Sequence, residues 1–187
     1  MIRRLTFILL AFLMMVPLCA QEAEKPEIRP VQIYLGIQPG LEVIPFDEYR
    51  SAFNINILPL TLEYAIDRHW GIRVHSIWNI QVRPEFPAVI SSIGAEISVP
   101  YYFPLKNSEE GQRGFYAAAV VIPEYRPLND YYSLGLAAEA GYAFLFSNRL
   151  SIVLAGQAGM TLQKDPDNPY MRIMPYYAPR LSLGFWF

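Results

Sequence analysis

The sequence predicts an all-β chain: an eight-stranded antiparallel up-and-down transmembrane β-barrel that follows an N-terminal signal peptide. Three observations lead there. An apolar leader opens the chain, the remainder is rich in apolar residues without a run long enough for a membrane helix, and those residues recur with a period of two.

The leader comes first. Arg3 and Arg4 precede a run dominated by apolar residues from Leu5 to Leu18, then Cys19, Ala20 and Gln21. A basic start, a short apolar stretch and a small residue before a polar one are the parts of a secretory signal peptide. Cleavage is expected between Ala20 and Gln21. The rival reading, a lipid-modified Cys19, is disfavoured because Leu18 stands where that motif wants a small residue. With the cut after Ala20 the chain keeps no cysteine, which excludes disulfides, thiol catalysis and thiolate metal sites together. The expected organisation is a signal peptide over 1–20, a polar periplasmic lead-in over 21–30 (QEAEKPEIRP) and one barrel over 31–187.

Composition narrows the class. The formal net charge is -2, which argues against a nucleic-acid partner. Hydrophobic residues make up 53 %, and the only lysines are Lys25, Lys106 and Lys164, none in an expected strand. A water-soluble β-domain places lysines along its wet faces and edges.

The strands follow in order. In the first, Val31, Ile33, Leu35 and Ile37 oppose Gln32, Tyr34, Gly36 and Gln38. The second runs from about Phe53 to Ile66, and Asp67, Arg68 and His69 turn it into the third, Trp70 to Gln81. The fourth, Ala88 to Phe103, sets Ile93, Ala95, Ile97, Val99 and Tyr101 against Gly94, Glu96 and Ser98. After a polar turn over 104–113 come Gly114 to Ile122, Tyr132 to Phe144, Arg149 to Met160 and Pro175 to Phe187. Connections over 39–52, 82–87, 123–131 and 161–174 are expected on the outer side, with short turns and both termini in the periplasm.

The polar face decides which side is inside. It holds mostly Gly, Ala and Ser with a few long charged residues, which suits the narrow interior of an eight-stranded barrel better than a wet surface. A soluble lipocalin-like barrel binding an apolar ligand would have the opposite sense. Aromatics near strand ends suggest two interfacial girdles: Tyr64, Trp70, Tyr101, Tyr102, Phe103, Phe144, Phe146, Phe185 and Phe187 on one side, Phe53, Trp78, Tyr125, Tyr131, Tyr132, Tyr176 and Tyr177 on the other.

The chain ends in Phe187, with Phe185, Leu183, Leu181 and Tyr177 at alternate positions before it. This resembles the terminal signature of outer-membrane barrels, and the resemblance implies recognition by the barrel-assembly machinery. The stretches IGAEISVPYYFP and GYAFLFSNRLSI are similar to small eight-stranded outer-membrane barrels of unknown function, like the transmembrane domain of OmpA in architecture. The resemblance implies the outer membrane of a Gram-negative bacterium, with its lipids as partners, and brings no assigned reaction.

The charged residues inside the expected strands are Glu63, Arg73, Glu96, Glu139 and Arg180, joined on the inward face by His75 and Gln157. Glu63 and Arg73 fall opposite each other across the 67–69 turn, where a cross-strand ion pair is expected. Ionisable residues at membrane depth must be paired or solvated, so the group reads as a polar network that fills a barrel without an open pore. A proton or ion path is the sharper alternative. His69 and His75 lack carboxylates at ligand spacing, so no metal or other cofactor is expected. A lipid-modifying acyl enzyme would need a His and a Ser together, but His75 and Ser76, as strand neighbours, point to opposite faces. The chain is therefore read as a non-enzyme. Glu42, Phe46, Asp47, Tyr49, Glu124, Tyr125, Tyr131, Asp165, Asp167 and Tyr170 give loops 39–52, 123–131 and 161–174 an acidic, aromatic character suited to a surface partner.

Overall fold

The computed structural model describes residues 33–45, 51–83, 86–104, 112–128, 130–146, 149–164 and 170–187. The expected signal peptide, its cleavage point at Ala20 and Gln21, and the 21–30 lead-in lie outside them, as do Phe46, Asp47, Tyr49, Asp165 and Asp167. No helix among the described residues is long and apolar enough to cross a membrane, which says nothing about crossing with strands.

The described chain is all-β, with strands β1 (Ile33–Ile37), β2 (Leu41–Pro45), β3 (Ser51–Asn56), β4 (Leu60–Ala65), β5 (Gly71–Arg83), β6 (Phe86–Tyr102), β7 (Gly114–Arg126), β8 (Tyr131–Leu145), β9 (Leu150–Lys164) and β10 (Met171–Trp186). Every pairing is antiparallel. Around the sheet β5, β4, β1, β10, β9, β8, β7 and β6 follow one another, and β6 pairs back onto β5, so the sheet closes into a ring. From β5 to β10 each strand pairs with its successor in the chain, the up-and-down arrangement that tight turns produce.

Ten strands stand where eight were expected, because the first two are each in two pieces. β1 pairs with β4, and β2 pairs with β3, while β3 and β4 both lie along β5. Between β3 and β4, Ile57 to Pro59 form an irregular insert. Buried positions are even-numbered before it (Asn54, Asn56) and odd-numbered after it (Thr61, Glu63, Ala65), as an extra residue in one strand requires. The Asn56 Oδ1 holds the insert by accepting from the N–H groups of Leu58 and Trp78, both at 3.1 Å.

The strands extend further than expected into the connections over 39–52, 82–87, 123–131 and 161–174. Residues 41–45 and 51–52 of the expected 39–52 loop are strand, β5 reaches Arg83 and β6 starts at Phe86, and β9 reaches Lys164. Glu42, Glu124, Tyr125 and Tyr131 are consequently strand residues, not loop residues, and Lys164 ends a strand. Continued ladder bonding explains this: Tyr125 and Arg126 pair with Tyr132 and Tyr131, and Lys164 with Met171, which satisfies backbone groups that a loop would leave to water.

Burial alternates along β1, β4, β7 and most of β5 and β8, with the polar residues inside. Tyr34 is 2 % exposed beside Leu35 at 50 %, and Glu63 is 2 % exposed beside Leu62 at 49 %. Three girdle assignments are corrected by this alternation, among them Tyr131, which is partly buried and shares the parity of buried Ser133 and Glu139. Tyr102 is buried, sharing the inward face with Ser98 and Glu96, and Tyr176 is partly buried with its hydroxyl bonded to inward groups. Tyrosine suits either face because its ring is apolar and its hydroxyl can be satisfied inside.

The β4–β5 turn is fixed by Asp67, whose Oδ1 accepts the backbone N–H groups of His69 (2.7 Å) and Trp70 (2.8 Å). Those two bonds hold its carboxyl below the usual carboxylate value. A lowered folded-state value stabilises the turn fully above the unfolded value, about 3.9, and the contribution is lost as pH falls through the lowered one. Amide exchange at His69 and Trp70 is expected to accelerate in that acid window, and in Asp67→Ala at every pH. Unchanged protection of both amides in the variant would remove the assignment.

Candidate functional site

The ring closes on a layer of ionisable side chains. Glu63 and Arg73 are direct cross-strand partners, and Glu139 faces Gln157 in the same way, so the sheet register itself delivers them to one depth. Arg73, 4 % exposed, donates from Nε to Glu63 Oε2 at 2.7 Å and from Nη1 to Glu139 Oε1 at 3.0 Å. Its Nη2 donates to the Tyr102 hydroxyl at 3.0 Å, and Tyr102 donates on to Glu63 Oε1 at 2.8 Å. The Tyr116 hydroxyl donates to Glu139 Oε1 at 2.7 Å, with the Arg73 guanidinium 5.0 Å from the Tyr116 ring centroid.

A second cation completes the layer. Arg180 Nη2 lies 2.6 Å from Glu96 Oε2, and it also donates to Tyr176 and to the Gln157 carbonyl. Gln157 ties the two halves together, because its Nε2 donates to Glu96 Oε1 at 2.7 Å and to Glu139 Oε2 at 2.6 Å. The five charged residues and Gln157 thus form one connected network, with three carboxylates facing two guanidiniums. Each carboxylate oxygen accepts at least one bond, as buried charge requires.

His75 does not join it. The Asn56 carbonyl is committed to two backbone donors, so its Nδ2 must be the donor to His75 Nε2 at 3.2 Å. The ring proton then sits on Nδ1, which reaches the Leu60 carbonyl at 3.1 Å, with the Thr61 hydroxyl also at 3.1 Å. The reason for the separation is that Asn56 at the end of β3 and Leu60 and Thr61 of β4 engage both ring nitrogens. Ser76 points away from His75 and donates to the Leu58 carbonyl, so the two make no nucleophile and base pair. Among the described residues no group of three or more His, Cys, Asp or Glu is placed to hold a metal ion.

Sequence reasoning set Tyr34 on the polar face but left the tyrosines out of the network. Tyr34 donates or accepts at Ser182 (2.6 Å), Tyr102 and Tyr116 brace Arg73, and Tyr176 braces Arg180. Parity carried the signal: Tyr102 is even-numbered like Glu96, Tyr116 like Ala118, and Tyr176 like Arg180. At the end of the chain, Tyr177, Leu181, Leu183, Phe185 and Phe187 all face outward, while Ser182 and Trp186 are buried.

No protein-family model, no curated protein and no solved structure matches this chain.

Proposed function

We propose that the chain is an integral outer-membrane β-barrel with a structural or surface-interaction role, spanning the bilayer with these strands and keeping both termini in the periplasm. The observation that carries this reading is the inversion of burial: Leu35, Leu62, Ile72, Leu136, Leu154 and Leu183 face outward while Glu63, Arg73, Glu96 and Glu139 face inward. In water that arrangement leaves large apolar side chains half exposed around the ring, each forgoing about 0.7–1.5 kcal/mol, half the value of full burial. In a bilayer the same surface is solvated by acyl chains, and closing the sheet through the β5–β6 and β1–β10 pairings satisfies most of its backbone internally. The exported leader and the alternating C-terminal residues fit recognition by the barrel-assembly machinery.

The charge layer favours a structural role for the interior over an ion path, because every carboxylate oxygen is held by a guanidinium, tyrosine or glutamine donor. It also disfavours a lipocalin-like carrier, whose interior would be apolar. The acyl-enzyme alternative lacks a Ser beside His75. Surface interaction would fall to the outer ends of the strands, where Tyr132 and Tyr170 are 70 % and 79 % exposed.

The first test is gel mobility of the protein purified from an outer-membrane fraction, with and without boiling in detergent. A compact barrel migrates faster before boiling than after it. Recovery in the soluble periplasmic fraction, with no mobility change, would overturn the reading.

A further inference from the structure

The ring is closed unevenly. β10 pairs with β9 over fifteen residue pairs, from Met171↔Lys164 to Phe185↔Leu150, but with β1 over only four, from Tyr34↔Trp186 to Ile37↔Leu183. Beyond Leu183 the edge of β10 that turns toward the start of the chain has no strand partner among the described residues, and neither has the corresponding edge of β2.

The sequence explains why the two do not zip together. Phe187 and Ile33 exchange both backbone bonds, so odd-numbered residues of β10 direct their N–H groups toward β1, as even-numbered Trp186 directs its own toward Arg149. Pro175 and Pro179 are odd-numbered and lack that donor. On the other side Gly40 bonds Asn56 of β3, which leaves the odd-numbered residues of this segment facing β10. Carrying the β1 register onward would set Pro39 against Leu181, Leu41 against Pro179, Val43 against Tyr177 and Pro45 against Pro175. Proline removes a donor from three of those four hydrogen-bonding positions, the way edges are kept unpaired in folded sheets.

Two donors inside the ring beside this seam have no partner. The Gln38 side chain is 3 % exposed and its Nε2 makes no hydrogen bond, and Arg180 Nε makes none either. Arg180 is also the more accessible of the two network guanidiniums, at 17 % against 4 % for Arg73. Buried donors left unsatisfied cost free energy that an acceptor would return.

The geometry points to a lateral entry between β2 and β10 through which an uncharged, carbonyl-bearing apolar molecule dissolved in the bilayer reaches the ring interior, with its carbonyl oxygen accepting from Gln38 and Arg180. This rests on the membrane reading above. The ligand is uncharged because the layer it approaches already carries three carboxylates for two guanidiniums, and a further anion would be repelled. It carries an acceptor because both free groups are donors. It is apolar because the seam opens through the outward face, where Leu181 and Tyr177 of β10 are exposed.

The test uses the chain folded into phosphatidylcholine vesicles and a long-chain fatty acid methyl ester bearing a diazirine, with labelled residues mapped by mass spectrometry. The free carboxylate and the plain alkane with the same diazirine serve as comparisons. The ester is expected to label inward residues beside the seam, Ala178 and Ser182, in addition to outward residues. Gln38→Leu, which breaks no existing bond, is expected to lose the inward labels and keep the outward ones. A Pro39→Val/Pro179→Val variant, which restores ladder donors, is expected to do the same by closing the entry. Inward labelling absent for the ester, or equal for all three probes, overturns the proposal. Absence of outward labelling together with failure to float with the vesicles overturns the membrane reading instead.

Discussion

Arg73→Met is expected to destabilise the folded protein by about 3–5 kcal/mol, the usual consequence of stranding buried charge when one partner is removed. Among the described residues Arg73 is the guanidinium bonded to Glu63, and it shares Glu139 with Tyr116 and Gln157. Its loss leaves two carboxylates facing one another in a site that is almost closed to solvent. Total stabilities of about 5–15 kcal/mol make a change of that size a large fraction of the whole. Denaturant unfolding in detergent, followed by gel mobility, measures it. The triple change Glu63→Gln/Arg73→Met/Glu139→Gln is expected to recover most of the loss, since it removes the charges together. A cost below about 1 kcal/mol for the single change would mean that water reaches the layer and solvates the carboxylates.

Ala138→Arg is expected to show the second largest effect. Ala138 faces outward one residue before Glu139, at the depth of the charge layer. An arginine at the middle of a bilayer costs about 2–4 kcal/mol on the lipid face of a barrel, falling to about 0–1 kcal/mol near the interfaces. Ile173→Arg, at the exposed outer end of β10 beside Arg172, is the matching shallow site. Folding titrations into vesicles should therefore separate the two variants. If the ring stood in water, both substitutions would lie on a wet surface and change stability by no more than about 0.5 kcal/mol.

The alternation of apolar and polar residues was legible in the sequence, and so was the Glu63 and Arg73 pair, because both follow from a period of two across a three-residue turn. What nearness to the strand ends obscured was the identity of the aromatic residues that turn inward, although their parity marks them. Tyr102 stands beside Tyr101, and proximity to a strand end suggested the interface for both, whereas the pleat sends adjacent residues to opposite sides. The break between β3 and β4 was hidden for a related reason: an inserted residue shifts parity without changing composition, so Phe53 to Ile66 reads as one apolar segment. β2 was hidden by Pro39, Gly40 and Pro45, which signal a loop although they allow an edge strand. His75 shared a face with Glu96 and was grouped with it, but Asn56 and Thr61 lie nearer and claim both ring nitrogens.

The four residue pairs that join β1 to β10 bring together the two ends of the described chain, and the Tyr34 to Ser182 bond spans 148 positions. Contacts between distant residues are entropically expensive and form late, since a long loop must be closed before they return anything. β10 is also the last of the described strands to be synthesised. Until it docks, the growing sheet exposes two long edges that invite strands of other molecules, so the period between synthesis and closure is when this protein is most prone to aggregate and most dependent on a holding factor.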